Sequence, residues 1–153
     1  MAPAAFTQGR LWAFLTLLAV AGIGTSAYLT YSHYADDPTV CAGIGSCEFV
    51  QTSKYSEIAG VPVALMGLIY FIFMVCLCVT RLLRGDSVDT WVRPVAFTIT
   101  LGSAFFVSYL TYVELFVIDA ICIWCVATAS ITIACLVVIV WIVASGAREE
   151  VWE

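Results

Sequence analysis

Apolar residues fall into four long runs, at about 11–31, 61–80, 93–117 and 121–144, and the polar residues collect between them. Each run is close to the roughly 20 residues that an α-helix needs to cross the hydrocarbon core of a bilayer. The pattern therefore predicts an all-α integral membrane protein, a single four-transmembrane-helix domain over 1–153. The first run follows Arg10 and is interrupted only by small or hydroxyl residues such as Gly22, Gly24, Thr25 and Ser26. A signal peptide cleaved after Ala27 is the competing reading, but the run continues through Leu29 without a polar segment. Gly22, Gly24 and Ser26 are expected to let a neighbouring helix approach closely. The second run is entered through Pro62, whose missing amide proton is harmless in a first helical turn.

Between the first two runs lies the one long polar stretch, 32–60, carrying His33, Asp36, Asp37, Cys41, Cys47, Glu48, Lys54 and Glu57. Connections of this length are usually functional. His33, the sole histidine, reads as a solvated loop residue. The third run, from about Trp91 or Pro94 to Val117, is joined to the fourth by a very short turn at Asp119, which brings the start of the fourth back to the side of the long loop. In this arrangement all five arginines, Arg10, Arg81, Arg84, Arg93 and Arg148, fall at one face. The positive-inside rule makes that face cytoplasmic, with both termini, and places the long loop on the other, oxidising side: the extracytoplasmic side of an inner (plasma) membrane in a bacterium, or the lumenal side in an organelle. Trp12, Trp91, Trp124 and Trp141 stand near the span ends, where aromatic belts are expected.

Composition sharpens this picture. Hydrophobic residues make up 63% of the chain and charged residues only 11%, against roughly a quarter charged in soluble domains. Function must then reside in the spans or their short connections, and the net charge of −5 leaves no basic patch for nucleic acid.

The chemistry lies in the seven cysteines. Cys122 and Cys125 form a C-x-x-C at the start of the fourth run. If Asp119 is the N-cap, Cys122 falls in the first turn, where helix-start amides favour thiolate over thiol. Cys41 and Cys47 sit in the long loop, with Gly43 and Gly45 between them to let the chain bend, so the two sulfurs can meet if their Cα atoms approach within about 7 Å. Cys76, Cys78 and Cys135 lie in the apolar runs and read as packing residues. Two outer pairs suit thiol-disulfide exchange from a soluble dithiol to a fixed pair at a helix end. Without a haem ligand set, a flavin fingerprint or a second metal-binding cluster, the final acceptor reads as a lipid-soluble quinone. A structural zinc site with Cys41, Cys47, Cys122 and Cys125 as ligands is the alternative from a different class.

The ordered set Cys41-x5-Cys47, Ser53, Gly60-Val61-Pro62-Val63-Ala64-Leu65-Met66-Gly67-Leu68-Ile69-Tyr70 and Cys122-Ile123-Trp124-Cys125 resembles the vitamin K epoxide reductase family in its bacterial form. The resemblance covers all four runs. It implies that Cys122 and Cys125 are the active-site disulfide, with Cys125 nearest a quinone of the ubiquinone or menaquinone (vitamin K) type. It implies further that Cys41 meets a thioredoxin-like, DsbA-like partner and Cys47 exchanges with Cys122, with Ser53 close by. Val63 and Ala129 stand where vertebrate members carry a quinone-binding asparagine and a tyrosine, which argues against reduction of the vitamin K epoxide. A fused thioredoxin-like domain, common in bacterial relatives, does not follow, so the partner is expected to be a separate extracytoplasmic protein. A DsbB-like quinone reductase also has four spans and two cysteine pairs, but its C-x-x-C precedes the loop pair.

Overall fold

The computed structural model describes residues 2–35, 41 and 46–150, with side chains described for 8–35, 41 and 46–146. The readings made above for Asp36, Asp37, Gly43, Gly45 and the side chain of Arg148 lie outside these residues. The described chain forms α1 (Ala2–Ala35), a short α2 (Cys47–Gln51), a two-residue antiparallel pair of strands β1 (Glu57–Ile58) and β2 (Val61–Pro62), then α3 (Val63–Arg84), α4 (Asp89–Val113) and α5 (Ile123–Glu150). It is an all-α membrane protein. Three stretches are long and apolar enough to cross a bilayer: Gln8–Ala35, Val63–Ile118 and Ile123–Gly146.

The middle stretch is 56 residues long, far beyond the roughly 20 needed for one crossing, and it folds back on itself. Gly85 has φ +66°, a left-handed conformation natural to glycine, and opens a 3-10 turn over Gly85–Val88 that reverses the chain. Across the hairpin the Tyr70 hydroxyl donates to Thr100 Oγ1 at 3.3 Å, and Thr100 Oγ1 donates to Met74 Sδ at 3.6 Å. At the turn Arg81 pairs with Asp86 and Asp89, and Asp89 also holds Arg93 one helical turn on. Arg93 in turn lies against Gly146 of α5, so the α3–α4 turn and the far end of α5 share one end of the bundle.

α1 packs along α3 and α5, and α4 packs on α5. The larger core cluster, with Leu15, Phe71, Met74, Val92, Cys135 and Ile139 among its members, occupies the middle of the bundle and the arginine-bearing end. Trp12 also belongs to it and is fully buried, so this tryptophan is a core residue and not part of an interfacial belt. Trp91 and Trp141 are exposed as a belt requires. At Gly22 α1 leaves room for α3, since a Cβ there would fall on the Phe71 ring; Gly67 faces Ser26 in the same seam. Around Gly24 there is nothing within 4 Å, so the expected close approach applies to Gly22 and not to Gly24. His33 lies in α1, which outlasts its apolar run, and its Nε2 is 3.0 Å from Glu57 Oε1. It is a clamp between α1 and β1 and not a solvated loop residue.

Gly22→Ala should destabilise the protein in detergent by about 1–3 kcal/mol, the usual range for overpacking, read as a lower thermal midpoint. Phe71→Leu in the same chain should recover part of the loss by making room for the added methyl group.

Candidate redox site

At the end of the bundle opposite the arginine network, the loop that contains α2 folds over the start of α5. Cys47 begins α2, and the amide of Ser46, just before it, donates to the carbonyl of Ile121 at 2.9 Å. This bond pins the loop to the residue preceding Cys122. Cys41 and Cys47 are joined in a disulfide with a Cα–Cα distance of 6.0 Å, within the reach expected from their spacing. Cys47 is only 1% exposed and packs in one cluster with Leu29, Val50 and Cys122, bordered by Cys41 and Cys125. The two pairs anticipated from the sequence are therefore brought together. The disulfide also removes two of the four thiolates that a zinc site would require.

The entry to α5 differs from expectation. Asp119 closes the π-helical turn Glu114–Ile118 in the left-handed conformation, φ 52°, and does not cap α5. α5 starts at Ile123, and the N-cap is Cys122 itself. Its carbonyl accepts the first helical bond from the Val126 amide at 3.0 Å, and its sulfur accepts the Cys125 amide at 3.4 Å. That is the geometry by which a capping side chain satisfies an orphan amide of the first turn, here with sulfur in place of oxygen. A hydrogen bond from the Cys125 thiol holds the Cys122 thiol below its ordinary range; the Cys125 and Trp124 amides add to this, while burial and the nearby Glu114 carboxyl oppose it. Trp124 packs against Tyr28 of α1 with ring centroids 4.8 Å apart, a structural contact that fixes α5 to α1.

Beneath the thiol pair, toward the middle of the bundle, lies a cavity of about 420 Å³. Cys125, Ser53, Val63 and Ala129 all line it, and Cys41, Cys47 and Cys122 do not. The C-x-x-C thus stands between two compartments, with Cys122 against the loop cysteine and Cys125 against the cavity. The Ser53 hydroxyl donates to the Val50 carbonyl at 2.8 Å, and the Ser53 carbonyl accepts both the amide and the hydroxyl of Ser56. Ser53 therefore stiffens the loop while forming part of the wall.

Among the polar wall residues that the sequence reading does not name as site residues are Ser26, Tyr70 and Glu114. Ser26 is 1% exposed, and its hydroxyl has no hydrogen-bond partner. Glu114 is 7% exposed, and its Oε2 accepts the Cys122 amide at 3.5 Å. An acidic residue inside an apolar run is itself a sequence signal, because ionisable groups at membrane depth are costly and mark function. Cys78 and Cys135 are fully buried in the larger core, as packing residues should be, whereas Cys76 is exposed on the bundle surface.

Fold and site together describe a membrane protein built to carry out thiol redox chemistry at a helix end. The family model for the vitamin K epoxide reductase family matches residues 13–140, and the chain belongs to that family, whose members are membrane oxidoreductases.

The lowered affinity of Cys122 for its proton makes a pH prediction. A group whose folded-state pKa is depressed is ionised, and stabilises the fold, above its ordinary range near 8.5, and this contribution is lost as pH falls through the depressed value. With Cys41 and Cys47 replaced by serine and the remaining thiols reduced, ultraviolet thiolate absorbance should show one group titrating below the ordinary range. Cys122→Ala should remove that group. Cys125→Ala, which deletes the thiol donor, should move it upward.

Proposed function

We propose that this protein is a thiol:quinone oxidoreductase that supports disulfide formation on the extracytoplasmic side of an inner (plasma) membrane. Electrons pass from a separate thioredoxin-like partner to Cys41, through Cys47 to Cys122 and Cys125, and on to a quinone of the ubiquinone or menaquinone type. The observation that carries this reading is the division of the C-x-x-C between the Cys47 cluster and the cavity. Each of the four long helices is read as one crossing of the membrane. The described arginines Arg10, Arg81, Arg84 and Arg93 are then cytoplasmic with both termini, and the loop is outside.

The residues present fit a quinone. The cavity falls within the roughly 300–1,000 Å³ of small-molecule sites, and its wall is mostly apolar. The unpartnered Ser26 hydroxyl is a donor suited to a ligand carbonyl. Val63 and Ala129 contribute shape without hydrogen bonds. A bound quinone supplies a two-electron, two-proton acceptor that is soluble in the bilayer. Cys47 attacks Cys122, whose sulfur is held at the loop side, and Cys125 leaves as the thiolate on the cavity side; Cys41 then displaces Cys122 from the mixed disulfide and closes the Cys41–Cys47 bond. Ser53 holds the loop over the cavity and limits the entry of water.

Cys122→Ala and Cys125→Ala should each abolish quinone reduction with any donor. Cys41→Ala and Cys47→Ala should spare most turnover with a small membrane-permeant dithiol and lose it with a thioredoxin-like protein donor. Equal damage by all four substitutions with the small dithiol would make the loop pair catalytic in itself and overturn the relay. In Cys125→Ala, mass spectrometry without reduction should find Cys47 linked to Cys122; a Cys41–Cys122 link would reverse the order of the loop cysteines.

Topology is tested separately with a membrane-impermeant thiol reagent on reduced intact cells. A cysteine placed at Ser32 should be labelled, and one placed at Ser87 should not. The opposite result would invert the protein in its membrane.

A further inference from the structure

Glu114 occupies a position that neither packing nor the relay of cysteines explains. It ends the apolar stretch of α4 and opens the π-helical turn, so that its backbone carbonyl accepts the Ala120 amide at 3.1 Å while its carboxyl turns inward. The side chain is 7% exposed, lines the cavity together with Cys125, and reaches the Cys122 amide at 3.5 Å. It also lies within side-chain hydrogen-bonding reach of the Cys125 thiol. The other titratable groups on the cavity wall are Cys125 from α5, Tyr70 from α3 and Tyr55 from the loop; Cys122 adjoins at the entry to α5. Among the described residues no arginine, lysine or histidine lines the cavity. A buried carboxyl with no cationic partner on that wall is costly to retain for stability alone.

We propose that Glu114 is a catalytic proton carrier between the Cys125 thiol and the quinone; this rests on the quinone-reductase reading given above. Oxidation of the Cys122/Cys125 dithiol breaks two S–H bonds, forms one S–S bond and yields two electrons and two protons. The quinone takes up both electrons and two protons to become a hydroquinone. As the S–S bond forms, the Glu114 carboxylate accepts the Cys125 proton and passes it to a quinone oxygen in the cavity. The Cys122 proton leaves at the loop end, and an equivalent proton from solution completes the hydroquinone. The direction of the pH effect follows. Glu114 must be ionised to accept the proton, so turnover falls on the acid side as the carboxylate is protonated.

The test compares wild-type protein, Glu114→Gln and Glu114→Asp, each purified full-length and supplied with a small dithiol and a short-chain ubiquinone from about pH 5 to 9, the range over which a pH–rate profile exposes an essential base. Glutamine keeps an acceptor oxygen for the Cys122 amide but cannot carry a proton. The expected result is a kcat lowered by about 10²-fold, a typical value for losing a general base, with the acid limb of the profile gone and KM changed far less than kcat. Glu114→Asp should restore a measurable acid limb. Wild-type turnover and pH profile in Glu114→Gln would overturn the proposal, as would a lower rate with the acid limb intact, which would make Glu114 a positioning residue for Cys122. Absence of quinone reduction by the wild-type protein would instead remove the reading on which the proposal depends, and the two failures are thereby distinct.

Discussion

The amide of Cys125 donates to the sulfur of Cys122, and that contact joins the fold to its chemistry. A helix that begins beneath a folded loop cannot leave its first amides to water, so something in the chain must satisfy them. Here the capping group is a redox-active type of side chain. The sulfur therefore sits in the favourable field of the helix start by construction, and the residue one turn on is its natural disulfide partner. The same cap turns Cys122 toward the loop and leaves Cys125 on the cavity side of α5. The placement of one cysteine at the loop and the other at the cavity is a consequence of where a helix begins.

The loop is held in register with that helix start by an equally local device. The Ser46 amide bonds the Ile121 carbonyl, immediately before Cys122, and Cys47 follows Ser46 at the start of α2. His33 and Glu57 clamp the other side of the loop to α1. Burying Cys47 among Leu29, Val50 and Cys122 is favourable as hydrophobic contact and also sets the sulfurs in adjoining positions. Far from this end, the turn between α3 and α4 is fixed by Arg81, Asp86, Asp89 and Arg93. The two ends of the bundle thus differ in kind: one carries thiols and a cavity, the other a network of paired charges.

Much of this was legible in the sequence because hydrophobic blocks and cysteine spacing are strong signals. The runs 11–31, 61–80 and 121–144 fall within α1, α3 and α5 apart from at most two residues at an edge, the run 93–117 extends past α4 through the π-helical turn, and the Cys41/Cys47 and Cys122/Cys125 pairs lie in one cluster. The errors were local. Aspartate is a preferred N-cap, which makes Asp119 the expected cap of α5, but it lies three residues before Cys122 and instead closes the turn after α4 in a left-handed conformation that aspartate tolerates. His33 was assigned to the loop because polar residues start there, although helices routinely continue past the apolar stretch that a membrane requires. Trp12 was placed in an aromatic belt by its position near a span end, whereas burial depends on which face of α1 it occupies. Glu114 was passed over as one acid within a long apolar run.

The composition of the cavity wall carries the last step. Val63 and Ala129 offer no hydrogen bond, so orientation of a ligand there falls to polar wall residues such as Ser26, Tyr70, Glu114 and the sulfur of Cys125. Tyr70 already donates its hydroxyl proton to Thr100, which leaves it as an acceptor toward the cavity. Ser26 has a buried hydroxyl without a hydrogen-bond partner and can donate. Ser26 lies on α1 and Glu114 at the end of α4, so the polar groups of the wall come from different helices. A flat ligand with a carbonyl at each end suits such an arrangement, because one oxygen can face a neutral donor and the other the carboxyl beside the thiols. Polarity placed in this way would favour one end of such a ligand at Cys125, with Glu114 the one charged residue on the wall among the described residues and the rest of the wall mostly apolar.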